Sequence, residues 1–423
     1  MTPLLSIAFR NLLRAKRRTL LSGGTMVLGS GALVLGSGLS DGIARQLTDS
    51  LVAVQTGHAQ VVARPLDFQP QNSPFDAYGL DRILGAEELA RRIESEGRAH
   101  GVVRAVPFLY GRGTAIAGNR TSLASVIGID PAREPELQRA QVVETGTFLP
   151  QGDDTAVYIA APMARKLRLS VGDSVSFVVQ TPQGAVNSLD AIVCGVFRKG
   201  APWHDNGFYV SLKAAQTLFD WPGDATNVKV TLADGSAGAA RRIRPLLERI
   251  AAEGPAPDPK TKLRVETFEE AGRFSFSIIQ ANRTALAILS SFLFAAAAVG
   301  IVNALLMSVH ERTREIGTIR ALGMRQRSVV RLFVLEGFAL GMVSAVVGVA
   351  LGGAGVVYLG WRGIPMNTIT LAWMAGGDHL YPILRATNVL SAGGAIALLS
   401  TLAALYPARV ASRLEPREAL HHV

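Results

Sequence analysis

The chain has 423 residues, 48% of them hydrophobic and 18% charged, with a formal net charge of +10. A mean hydropathy of +0.26 is high for a soluble protein and low for a chain built only of membrane helices, so the average conceals spans joined to a water-facing domain. The basic excess does not mark a nucleic-acid binder, because much of the arginine sits beside apolar runs, and the single cysteine, Cys194, excludes an intrachain disulfide.

The first element is basic. Leu5, Ala8, Phe9, Leu12 and Leu13 recur at helical spacing with Arg10, Arg14 and Arg17 between them. Residues 1–18 therefore read as an amphipathic helix lying in the membrane interface, or as a plain positive flank. An apolar run over 19–39 follows, close to the ~20 residues that cross ~30 Å of hydrocarbon. It exceeds the ~7–15 residues of a cleaved signal and no A-x-A site follows it, so it is expected to be a retained anchor.

A polar segment over 40–277 comes next. Strands are predicted at Gly57–Val62, Val102–Leu109, Leu123–Ile129, Val228–Leu232 and Leu263–Thr267, and helices at Ala86–Glu96 and Ala239–Ala252. Elements drawn from both ends of the segment suggest one α+β domain interrupted by an insert at about 131–222. The insert is β-rich, with strands expected at Ala156–Ile159, Ser174–Gln180, Ser188–Phe197 and Gly207–Val210, and a Gly172-Asp173 turn.

Three more apolar runs crowd the C-terminal third, giving a span within 278–309, a loop at 310–330, a span within 331–360, an external loop at 361–388, a span at 389–408 and a tail at 409–423. Arginine clusters at the N-terminal segment, at Arg312–Arg331 and at Arg409–Arg417 fall on one side of a four-span protein, so both termini and the 310–330 loop are expected in the cytoplasm and the large domain outside it.

None of the four apolar cores carries Asp, Glu, Lys or Arg, and Asn303 is the strongest polar group inside one. Ion-coupled carriers place ionisable groups there, so a secondary transporter is disfavoured. Small residues pair at four-residue spacing in Ala32/Gly36, Ala296/Gly300, Gly337/Gly341 and Gly348/Gly352. Such pairs suit close helix packing, within one bundle or against a second membrane subunit, although glycine and alanine are common in membrane helices anyway. Glu336, at the cytoplasmic end of the third span, either faces water or meets Arg331 or the loop.

In the loop, Ile316, Ile319 and Leu322 share one face of a short helix that Gly323 can end in a left-handed cap. A helix with an apolar stripe framed by arginines can dock into a groove of a partner; an ordinary basic loop is the alternative. Catalytic signatures are missing from the chain. No G-x-x-x-x-G-K-[ST] or G-x-S-x-G occurs, and Arg314 stands where a zinc protease would need its second histidine after His310-Glu311. His58 reads as structural, Asp153-Asp154 as a turn, and His421-His422 as a solvated tail.

The run Glu311-Arg312-Thr313-Arg314-Glu315-Ile316-Gly317-Thr318-Ile319-Arg320-Ala321-Leu322-Gly323-Met324, with Leu335-Glu336-Gly337 and the tail Tyr406-Pro407-Ala408-Arg409 and Leu414-Glu415-Pro416-Arg417, resembles the FtsX/MacB/LolCE permease superfamily of ABC transporters. The one-plus-three layout matches as well. Thr56-Gly57-His58-Ala59-Gln60-Val61 is similar to a short motif of the LolC/LolE type. The resemblance implies a porter-like subdomain with an inserted β-rich one, and a non-catalytic membrane subunit without a cofactor of its own. ATP and Mg would sit in a partner ATPase dimer, and Glu311, Arg314, Glu315, Ile316, Ile319, Arg320, Leu322 and Gly323 would couple to it. It further implies a second permease subunit, identical or similar, in a bacterial inner membrane. The expected role is lipoprotein extraction with a periplasmic chaperone or adaptor; MacB-like efflux through an adaptor and duct, or FtsX-like activation of a cell-wall hydrolase, are the alternatives.

Overall fold

The computed structural model describes residues 16–413 except 72, 79–80, 182–183, 199–205, 255–258, 367, 369–374, 376 and 378. Most of the N-terminal amphipathic segment, and the tail from Leu414 with its histidine pair, lie outside the described residues. The chain forms two compact units. One takes in the chain up to Ile43, Ile279–Ile364 and the chain from Leu380; the other is Ala44–Ile278 with Pro365–His379.

Among the described residues, four helices are long and apolar enough to cross a membrane. They are Lys16–Leu51, Arg273–Glu311, Gln326–Arg362 and Ala386–Arg413, here the first to fourth long helices. The first three, of 36, 39 and 37 residues, greatly overrun their apolar cores, and at ~1.5 Å per residue they exceed the hydrocarbon thickness. The boundary between the units falls inside the first and second of them.

Glycine sets the helix contacts of the first unit. A Cβ at Gly352 would lie 2.6 Å from Gly31 O, and one at Gly348 would lie 2.5 Å from Val27 O and overlap the Ser30 hydroxyl, so the first and third helices cross backbone to backbone. Gly337 and Gly341 make room for the side chains of Ala404 and Ser400 on the fourth helix. The other two small pairs behave differently. A Cβ at Gly36 would stand 2.9 Å from Leu286 of the second helix, but Ala32 is exposed. Ala296 is also exposed, and a Cβ at Gly300 would meet Thr25 only at an ordinary 3.6 Å. The second helix leaves Ile288, Leu289, Phe292 and Val299 uncovered.

The second unit is built on a sheet whose path runs β10-β1-β9-β2-β3-β8-β5-β7-β4, with β6 paired to β2 and β7. In chain order the strands are β1 Ala59–Pro65, β2 Val102–Ala117, β3 Arg120–Ile129, β4 Val142–Gly146, β5 Ala156–Ala160, β6 Ser174–Gln180, β7 Val186–Arg198, β8 Gly207–Ser211, β9 Asn227–Leu232 and β10 Thr261–Thr267. Three cores pack against it, one of them around Phe108, Tyr158, Phe197 and Tyr209. Strands β1, β9 and β10 pack under helices Ala86–Gly97 and Ala237–Ala252, burying Ile93, Val61, Val230, Ile243 and Leu247. Phe177, Phe208, Val126, Ile159 and Leu218 fill another core among β2, β3 and β5–β8. Strand β2 belongs to both: Val102–Phe108 pairs with β9, and Leu109–Ala117 pairs with β3. The strands expected in the insert at 131–222 are thus joined by β3 and half of β2, because a single 16-residue strand runs through both parts of the sheet where a sequence reading stops it at Leu109.

Before β1 the first long helix loosens into a π turn at Val52–Thr56. Gly57 ends it at φ +63°, where a Cβ would stand 2.7 Å from Val230 O, so both the backbone angle and the close approach demand glycine. The His58 ring Nδ1 then accepts the Leu232 amide at 3.0 Å, and burial holds its pKa below the usual imidazole value. The Thr56–Val61 motif is thereby a helix-to-sheet junction.

Candidate coupling site

The second long helix stops at Glu311, Arg312 breaks out of helical geometry, and a new helix runs Thr313–Ala321. The Thr313 hydroxyl donates back to Val309 O at 2.9 Å, tying the new helix to the old. The far end closes as a Schellman motif: Met324 N donates to Ile319 O at 3.2 Å, Gly323 N donates to Arg320 O at 3.0 Å, and Gly323 takes φ +99°. The expected left-handed cap is where the sequence places it.

The apolar face splits. Ile316 is buried with Val309, Val329, Phe333, Ala408 and Ala411, fixing the loop helix to the adjacent ends of the second, third and fourth long helices. Ile319 is 38% and Leu322 83% exposed, so the stripe read as one face is an anchor at its start and a projecting tip at its end. The reason is geometric: i to i+6 spans 600° of helical rotation, so Ile316 and Leu322 stand about 120° apart. Glu311, Arg314 and Glu315 lie on the surface, with Arg320 half-buried. The tip is therefore an apolar knob among arginines, suited to an apolar hollow with an acidic rim.

Two charged clusters join side chains from separate elements. Glu336, 4% exposed on the third helix, faces Arg312, whose Nη1 lies 3.8 Å from its carboxylate. Of the two partners considered for it, the structure brings the loop. At the other end of the same unit, Asp41 of the first helix lies between Arg283 Nη2 of the second at 3.8 Å and Arg385 Nε at 3.6 Å, and accepts a hydrogen bond from Asn388 Nδ2 of the fourth at 2.8 Å. These residues cap a groove of about 550 Å³ between the first two helices, walled by Leu33, Leu286, Leu289 and Phe294. Asp41 reads in sequence only as the first charge after an apolar run.

Among the described residues no three His, Cys, Asp or Glu side chains converge to hold a metal. The Cys194 thiol is directed at Val157 O, 3.2 Å away, and burial pushes its pKa up to about 11, which makes it a poor nucleophile.

Two family models cover the chain. One, the MacB-like periplasmic core domain, matches residues 19–246, more than half of it. The other, the FtsX-like permease C-terminal region, matches 287–416. Among relatives, the lipoprotein-releasing system transmembrane protein LolC of Neisseria meningitidis serogroup B is 24% identical over 76% of this chain and 79% of its own. LolE of Haemophilus influenzae is 22% identical over 90% and 89%. The macrolide export ATP-binding/permease protein MacB of Bdellovibrio bacteriovorus is 23% identical over 88% of this chain, which spans only 56% of that relative. Permease subunits of the LolC/LolE type are non-catalytic and bind no cofactor. With a family model matching over half its length, an FtsX-like C-terminal region, and four spans around an α+β periplasmic domain, the chain belongs to the FtsX/MacB-type permeases of ABC transporters.

Proposed function

We propose that the chain is the membrane subunit of a mechanotransmission transporter that extracts lipoproteins from the inner membrane, driven by an ATPase on a separate polypeptide. Both termini and the Thr313–Ala321 helix are cytoplasmic in this reading, and two permease subunits, identical or similar, form the membrane part. The observation that carries it is the projecting Ile319–Leu322 tip on a helix rigidly capped and anchored by Ile316. A rigid knob transmits displacement where a flexible loop would absorb it. The first and second long helices run on beyond their apolar cores, so displacement at their inner ends is delivered outside the membrane without a polar path through it.

The cargo class is supported by the groove between those helices. Its walls are aliphatic and aromatic and its mouth is charged, the profile that receives acyl chains with a polar head. The two relatives named for lipoprotein release align with most of the chain.

The test is copurification with the candidate ATPase. Leu322→Asp, at a position 83% exposed, is expected to lower retention of the ATPase at least tenfold while leaving bundle melting unchanged. Undiminished retention would remove the docking assignment. Ile316→Asp is a poor probe, because it buries a charge in the anchor and disturbs the loop itself. Release of a labelled lipoprotein from proteoliposomes, dependent on ATP and on both partners, tests the cargo; export of a macrolide with no lipoprotein release would favour the MacB-like alternative.

A further inference from the structure

We propose that Arg312 and Glu336 form a positioning latch that fixes the loop helix to the third long helix, so that load on the loop reaches the third helix as well as the second. The inference rests on the coupling role proposed above for its mechanical meaning, but the latch itself is a property of this chain alone.

The third helix carries its carboxylate one turn beyond Phe333, inside the inner end of the bundle, where a side chain 4% exposed has lost nearly all its water. An ionised carboxylate persists in such a place only if a cation and hydrogen-bond donors replace that water. Arg312 is placed to supply the cation. It is the hinge residue itself, with φ −112° and ψ 16°, between the second long helix and the loop helix. Its guanidinium is 24% exposed and branches. Nη1 reaches toward Glu336 at 3.8 Å, and Nε donates to Glu315 Oε2 of the loop helix at 3.0 Å. One planar group therefore touches the third helix, the loop helix and, through its own backbone, the second.

The consequence is directional. Ile316 holds the loop by dispersion and apolar burial, which resist separation but tolerate sliding. An ion pair in a site with little water adds a restraint on position that apolar packing lacks. Without it the loop helix can swing about Arg312 when pushed at Leu322, and the stroke is spent on the hinge.

The test uses the full chain in lipid nanodiscs, first without any ATPase. Arg312→Gln and Glu336→Gln should each speed amide exchange over Thr318–Leu322 at least tenfold, and the reversed pair Arg312→Glu with Glu336→Arg should recover most of that protection. Glu336→Leu separates positioning from packing. It removes the buried charge at similar volume, so bundle melting is expected to hold while loop exchange still rises. Wild-type exchange in Glu336→Leu, or no recovery in the reversed pair, would overturn the latch. With the ATPase bound, the Gln variants should retain it at the wild-type level and lose at least fivefold in ATP hydrolysed per bound ATPase; unchanged hydrolysis would count against transmission through the third helix.

Discussion

The two units of this chain solve the same packing problem with opposite materials. The membrane bundle brings its helices together by removing side chains: Gly31, Gly348 and Gly352 at one crossing, and Gly337 and Gly341 at the other. The periplasmic unit fills its space with bulk, packing Phe177 against Phe208 and Tyr158 against Phe197, and burying the Lys229–Glu134 ion pair. The difference follows from the solvent. Lipid tails are as apolar as leucine, so burying leucine between helices gains little and only close contact distinguishes protein from lipid. In water each apolar Å² removed is worth about 25 cal/mol, and large side chains carry most of it.

The comparison breaks most visibly at the glycines. Gly352→Leu puts its Cβ 2.6 Å from a backbone oxygen of Gly31, where no rotamer change gives relief. The cost is expected to exceed the ~1–3 kcal/mol typical of overpacking and to separate the first and third helices. Thermal unfolding in detergent should show loss of the bundle transition. Gly24→Ala, with nothing within 4 Å, should leave it within about 1 kcal/mol of wild type. If the two variants melt alike, backbone contact is not what holds the bundle.

The periplasmic unit has its own sensitive point. Lys229 Nζ lies 2.9 Å from Glu134 Oε2, each side chain 4% exposed, and also donates to Ala53 O at 3.3 Å. Lys229→Met strands the carboxylate and should cost about 3–5 kcal/mol; adding Glu134→Leu should return most of it. The pH dependence has a definite sign. Burial already raises the Glu134 pKa, with the lysine opposing it, so removing the lysine raises it further. A carboxyl whose folded pKa is raised loses stability as pH climbs from the unfolded value through the folded one. The penalty of Lys229→Met should therefore grow from pH 5 to pH 8 in urea unfolding followed by the Trp221 signal. A penalty that shrinks over that range would mean that the pair is not charged in the wild type.

Periodic features were legible in the sequence and convergent ones were not. The apolar runs, the alternation in Ser174–Gln180 and the Gly323 cap each depend on neighbours within a turn or a strand, and each lies where the sequence puts it. The Glu336–Arg312 and Asp41–Arg283–Arg385 clusters join residues from separate helices, and no local pattern encodes which helices meet. The small-residue pairs fall between these cases. Four-residue spacing marks a smooth face, but Gly348/Gly352 meets the first helix while Ala296/Gly300 has no close crossing, because smoothness permits contact without specifying a partner. Leu322 teaches the same about the loop: the 3.6 period gives a face, and only the anchor at Ile316 shows which end of it turns inward.

The smallest expected effect sharpens the comparison at the junction of helix and sheet. His58 accepts the Leu232 amide through Nδ1, so the ring must be neutral there, and its pKa is lowered chiefly by burial, against the pull of Glu136 and Asp234. A histidine with a lowered folded pKa contributes stability that is complete above the unfolded value of 6.5 and is lost as pH falls below it. The ring is partly exposed, so solvent screens the effect, and a shift of about 1–2 °C in the melting of the periplasmic unit between pH 7.5 and 5.5 is expected. His58→Asn offers the amide an acceptor that does not titrate, so its melting should fall less than wild type over that interval. An equal fall would assign the acid sensitivity to other groups and leave His58 a purely steric filler against Gly235, whose Cβ would meet Nε2 at 2.7 Å.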